Sequence, residues 1–180
     1  MRSRFLLLLI ALTVGLSWMG GRASAVVVTQ PAPARVYCQA YRTTNIVVSN
    51  AFSAITFDSE TEDSSGIHST SSNQERMTIA AGGTYGVAFT SGYYNSGSAS
   101  DSIECKLYKN GSSVTGYHTG VWYSTTSSFM KAPVANWLIT LAAGDYIDVR
   151  VANVNSQATP IYSSGGSSNG GYASFVVWKI

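Results

Sequence analysis

The side chains able to do chemistry in this chain are few and scattered. Four carboxylates, Asp58, Glu60, Glu62 and Asp63, fall in one short stretch. Clustered carboxylates suit calcium coordination through oxygen ligands or the acid/base pair of a glycoside hydrolase. The ligand pattern of a calcium loop is incomplete, however, and nothing apolar stands nearby to raise one carboxyl pKa. A solvated loop is the expected reading, and no cofactor is expected. His68 and His118 lie far apart in polar contexts, with no Cys or His at metal-ligand spacing, which predicts two surface histidines and no metal site. No Gly-x-Ser-x-Gly elbow, phosphate-binding glycine loop or His-Glu-x-x-His sequence occurs. A secreted carbohydrate-active enzyme is therefore the most distant functional reading.

Aromatic residues carry a different hint. Tyr93, Tyr94, Tyr117, Trp122, Tyr123 and Tyr162 sit beside small polar residues in or next to expected loops. Exposed Tyr and Trp stack on sugar rings and anchor protein interfaces, so a cluster of them would make a site. Singly, each is expected to pack.

The elements that position these residues are read from periodicity. In Tyr146-Ile147-Asp148-Val149-Arg150-Val151 polar and apolar residues alternate with the period of a half-buried strand, and Gly144-Asp145 supplies a turn from the preceding run Val134 to Leu141. Further strand candidates are Val36 to Tyr41, Ala51 to Phe57, Arg76 to Ala80, Thr84 to Tyr93, Ile103 to Lys109, Ser113 to Tyr123 and Ala173 to Ile180. Asn110-Gly111 is a favoured two-residue hairpin turn, because both residues tolerate φ > 0. No window shows the spacing of an amphipathic helix, so the chain reads as all-β, a sandwich or barrel. Cys38 and Cys105 share the parity of apolar neighbours in their strands and should point inward. That parity fits a disulfide between them, as an oxidising compartment would favour, and equally fits two buried free thiols.

Residues 1–25 read as a signal peptide. Arg2 and Arg4 precede the apolar run Phe5 to Leu16, and Ala23-Ser24-Ala25 is a small-residue site, so cleavage is expected after Ala25. The run falls short of the roughly 20 residues of a membrane span, so no stable span is expected after cleavage. Arg2, Arg4 and Arg22 leave with the leader, so eight basic residues then face nine acidic ones. Without a Lys/Arg cluster, nucleic-acid binding is not expected. Charged residues make up 11% of the chain, against roughly 25% in an average soluble domain. Such a surface suits a secreted or cell-surface protein. Residues 26–33, with Pro31 and Pro33, read as a short extended lead-in, and residues 34–180 as one domain.

A set of short motifs now stands in order: Ala34-Arg35-Val36-Tyr37, Ile55-Thr56-Phe57-Asp58, Gly83-Thr84-Tyr85, Leu107-Tyr108-Lys109-Asn110-Gly111, Leu141-x-x-Gly144-Asp145, and Ser174-Phe175-x-x-Trp178-x-Ile180. Together they resemble the complement C1q-like globular domain, related in fold to tumour necrosis factor. Where that family often has Gly two residues after the Phe of its last strand, this chain has Val177, followed by Trp178. No Gly-X-Y stalk precedes the domain, and the Ile55 to Thr70 segment resembles bacterial and bacteriophage versions. The resemblance implies a jelly-roll β-sandwich of two antiparallel sheets, about five strands each. It also implies a homotrimer that binds other molecules without catalysis, and a buried Tyr85.

The resemblance further implies that the first and last strands lie side by side in the sheet facing the threefold axis. The residues give this a physical basis: Val36, Cys38 and Ala40 oppose Tyr37 and Tyr41, while Phe175 and Val177 oppose Val176, Trp178 and Ile180. Both strands are apolar on two faces, and a sandwich needs only one. Tyr37, Tyr41 and Trp178 are thus the expected interface residues. The first functional reading is an exported recognition or adhesion module that binds protein or glycan ligands. The second is a virion structural component, such as a phage fibre tip or capsid decoration.

Overall fold

A computed structural model describes residues 35–93, 101–123, 134–154, 159–162 and 173–180. The expected cleavage site after Ala25 and the lead-in lie outside the described residues. Period-two alternation is realised directly: the described residues form strands and no helix, and so include no helix long and apolar enough to cross a membrane.

Two antiparallel five-stranded sheets make a jelly-roll sandwich. The first runs β10 (Val134–Leu141), β6 (Gly83–Thr90), β13 (Ala173–Lys179), β1 (Tyr37–Arg42) and β4 (Ser59–Asp63). The second runs β3 (Ser53–Ala54), β11 (Tyr146–Asn153), β8 (Asp101–Lys109) and β9 (Ser112–Tyr123), with β5 (Arg76–Thr78) also paired to β11. A small third sheet, β2 (Ile46–Val48), β12 (Thr159–Tyr162) and β7 (Gly92–Tyr93), was not expected. Its strands are too short to show a period.

The first and last strands are neighbours, with Tyr37 opposite Trp178 and Tyr41 opposite Ser174. Between the sheets lies one apolar core. Cys38, Ala40, Tyr85, Val87, Phe89, Phe175 and Val177 come from the first sheet; Ile103, Cys105, Leu107, Ile147, Val149 and Val151 come from the second. Tyr85 is fully buried, as the resemblance implies. Phe57 stacks on Phe175 at 5.5 Å between ring centres. The expected strand Ala51 to Phe57 is regular only at β3, yet Ile55 and Phe57 are both fully buried.

The acidic stretch is not a loop. Glu60, Glu62 and Asp63 belong to β4, the edge strand beside β1, with a bulge between Gln39 and Ala40. Charge on an edge strand discourages further strand addition. His68 is likewise not a surface residue: its ring is buried, edge-on to Phe57, with Nδ1 2.7 Å from Glu60 Oε1 and Nε2 3.1 Å from the Gln74 carbonyl. Those partners come from β4 and from the loop before β5, so tertiary contacts override the polar local sequence. His118 is exposed as expected.

The two turns at one end of the sandwich are tied together by Asp145. Asn110 and Gly111 take φ of 50° and 80°, the left-handed pair that a two-residue hairpin requires, and Gly144 takes 87°. Asp145 accepts from Lys109 Nζ (2.7 Å), the Ala142 amide (2.7 Å) and Asn110 Nδ2 (2.8 Å). Lys109 above all, then the amide of Ala142 and the side chain of Asn110, hold the carboxyl down at about 2. Because the folded pKa lies below the unfolded one, this stabilisation is complete above about pH 4 and is lost as pH falls toward 2. Thermal melts between pH 5 and pH 2 should show that loss, and Asp145→Asn should flatten this part of the profile; an unchanged profile would show that the tie carries no stability.

Candidate functional site

The residues that face away from the core on the first sheet fall into rows across four strands. Tyr37, Trp178, Gly86 and Leu138 make one row; Gln39, Val176, Ala88 and Asn136 the next; Tyr41, Ser174, Thr90 and Val134 the third. Alternation puts these on one face because their neighbours Cys38, Ala40, Val87, Phe89, Phe175 and Val177 fill the core. None of these outward residues carries a formal charge. Val134 and Leu138 are large apolar side chains left 58% and 60% exposed. Charge stands only at the margins, as Glu62 on β4 and Arg35, whose guanidinium lies 4.7 Å over the Tyr37 ring.

Two local features shape the face. A Cβ on Gly86 would lie 2.1 Å from the Trp178 ring, so the absence of a side chain there lets the indole lie across β6. Tyr37 Oη donates to Gln39 Oε1 at 3.0 Å. Beside them opens a cavity of about 480 Å³ lined by Gln39, Tyr41, Thr61, Thr90 and Ser174. Its lining is neutral and hydroxyl-rich.

The structure therefore places Tyr37, Tyr41 and Trp178 on one face, as the parity of the end strands predicts. Sequence reasoning had Val176 on the face of Trp178 but did not assemble Val134, Leu138 and Ala88 with them. The signal was present in the alternation of Val134 to Leu141, but the order of strands in the sheet was needed to read it.

Asp58, Asp63 and Tyr117 are engaged within the fold. Asp58 accepts from the Thr43 amide and hydroxyl, both at 2.8 Å. Asp63 accepts from the amides of Ser65, Ile67 and His68 at 3.2, 3.1 and 2.9 Å, closing the loop after β4. Among the described residues no group of three or more His, Cys, Asp or Glu is placed to hold a metal ion. Of the aromatic residues, Tyr117 donates its hydroxyl to the Leu138 carbonyl and packs 6.4 Å from Trp137. Tyr94, and the side chains of Tyr93, Trp122, Tyr123 and Tyr162, lie outside the described residues.

Cys38 and Cys105 are buried free thiols in facing sheets. Burial, with the charges of Asp63, Glu60 and Glu62, pushes Cys38 far above the ordinary thiol range; burial pushes Cys105 up to about 12. Since the thiolate is the reactive form, the native protein should resist iodoacetamide at pH 8. Unfolding in guanidinium without reductant should release two titratable thiols per chain, and release of none would show a disulfide instead.

Comparison with known proteins places the fold. No family model and no curated protein matches the sequence. Solved structures do match. The globular domain of zebrafish complement 1qA superposes with a TM-score of 0.54 at 13% identity, covering 80% of this chain and 96% of that one. Eiger TNF from S. frugiperda superposes with a TM-score of 0.58 at 11% identity, covering 82% and 93%. The likeness lies in the backbone path, and on it this chain has the jelly-roll fold of the C1q and tumour necrosis factor domains.

Proposed function

We propose that the protein is an exported, non-catalytic recognition or adhesion module that works as a homotrimer and binds protein or glycan ligands. The observation that carries the reading is the uncharged outward face of the first sheet, with Leu138 and Val134 exposed on it and Trp178 half-buried across β6. A contiguous exposed apolar patch marks an interaction surface. In a ring of three copies this face meets a different face of the next copy, a heterologous contact that closes at the third subunit. The outward face of the second sheet carries the part-exposed charges Arg76, Glu104, Lys106 and Arg150, with Asp148 buried among them. The two faces thus divide between self-association and display. Displaying three equivalent surfaces raises avidity without any new contact.

Export is tested by intact mass of protein recovered outside the cytoplasm, which should begin at Val26; a mass that includes residues 1–25 would contradict it. Recognition is tested by applying the exported protein to an array of glycans and proteins. Saturable binding to a ligand class, weakened when the trimer is broken, is the expected result. Binding to nothing on a broad array by intact trimer would overturn the recognition reading.

A further inference from the structure

The outward face of the second sheet is built differently from that of the first. Register places Arg76 opposite Asp148 and Asp148 opposite Tyr108, then Arg150 opposite Lys106 and Lys106 opposite His118. Three cations are laid on aromatic rings: Arg76 at 4.6 Å from the centre of Tyr146, Arg150 at 4.1 Å from Tyr108, and Lys106 Nζ at 4.0 Å from Phe52. Two carboxylates lie among them. Asp148 Oδ1 accepts from Arg150 Nε at 2.7 Å, and Glu104 is 4.0 Å from Lys106. Among the described residues Arg76 has no carboxylate at ion-pair distance, and its buried Nε lacks a hydrogen-bond partner.

Like charges directly opposite on paired strands oppose folding, yet Arg150 faces Lys106 on a chain that is only 11% charged. Asp148 and the Tyr108 ring offset the charge of Arg150, and Glu104 and the Phe52 ring that of Lys106, so the fold holds the two cations side by side. We infer that this face binds an acidic polysaccharide, a proposal that rests on the recognition reading above and names its ligand class. Stacking on the rings fixes the cationic heads before a ligand arrives, which lowers the ordering cost of binding. The same stacking covers the rings, so a neutral sugar has no free aromatic platform on them. Guanidinium groups match carboxylate and sulfate with two parallel hydrogen bonds. Arg150 and Lys106 lie on the inner strands β11 and β8, and Arg76 lies on β5, where the amides of Arg76 and Thr78 already donate to the Asn73 and Ile67 carbonyls. An acidic peptide gains much of its affinity by pairing its backbone with an edge, and that gain is missing here. A semi-rigid polyanion loses less freedom on lying across a flat face.

The test uses the exported protein and three soluble probes: polygalacturonate, neutral dextran and polyglutamate. Trimer mass is measured by light scattering in the same samples. Polygalacturonate should bind preferentially, with affinity falling as salt rises. Arg76→Gln combined with Lys106→Gln should weaken it at least tenfold without changing trimer mass; this pair leaves the Asp148–Arg150 contact intact, and circular dichroism of the variant checks that it is folded. Equal binding of dextran, tighter binding of polyglutamate, full binding by the double variant, or no polygalacturonate binding by intact trimer would each overturn the inference. A monomeric mass would strike the assembly reading, which is a separate outcome.

Discussion

Replacing Tyr85 with alanine is expected to cost about 3 to 5 kcal/mol of unfolding free energy, the range for deleting a large buried aromatic side chain. Tyr85 is fully buried on β6 between β10 and β13, opposite Ile139 and Lys179. Its hydroxyl donates to the Ala81 carbonyl, so the ring spans from the strand back to the turn that precedes it. Deleting it opens a cavity and also leaves that carbonyl without its partner. Tyr85→Phe keeps the ring and should cost only about 1 kcal/mol, the net worth of one hydrogen bond. Denaturant melts at a fixed protein concentration check both values, since association would otherwise shift the apparent stability. A cost below about 1 kcal/mol for Tyr85→Ala, ordinary for an unexceptional substitution, would place the side chain outside the core.

Trp178→Asp should have the larger effect on assembly. The indole lies over Gly86 on the uncharged face, next to Tyr37, and aspartate would put a charge where the outward rows have none. A large aromatic anchor at the centre of an interface typically contributes about 2 kcal/mol or more, roughly a thirtyfold change in affinity. Burying an unpaired charge adds to that cost. The variant should dissociate at concentrations where the parent protein stays assembled. Its fold should persist, because Trp178 is only part-buried and the core partners on β13 are Phe175 and Val177. Gel filtration with circular dichroism separates the two effects, and an assembled variant would remove Trp178 from the interface.

Much of this architecture was legible in the sequence, for physical reasons that differ by element. The alternation of Val134 to Leu141 survives in β10, which has one face in the core and one outside; in β11 the apolar face Ile147, Val149 and Val151 is buried as read, but Asp148 on the other face is buried too, under the side chains around it. Asn110-Gly111 fixed its hairpin because few residue pairs accept two positive φ values in succession. β4 was illegible: Ser59-Glu60-Thr61-Glu62-Asp63 has no apolar parity, and an edge strand beside β1 needs none. His68 was misread because its polar partners arrive through the fold rather than through neighbouring sequence. The candidate face was legible at its ends, where Tyr37, Tyr41 and Trp178 stood out as surplus apolar residues. The half on β6 and β10 was not, since Ala88, Leu138 and Val134 join that face only once those strands are placed beside β13.

Multivalent recognition as proposed depends on the uncharged face of the first sheet closing a ring of three chains. Light scattering on the exported protein at micromolar concentration measures this directly. Three times the mass of the mature chain, stable on dilution through that range, is the predicted result. A monomer mass throughout would contradict it.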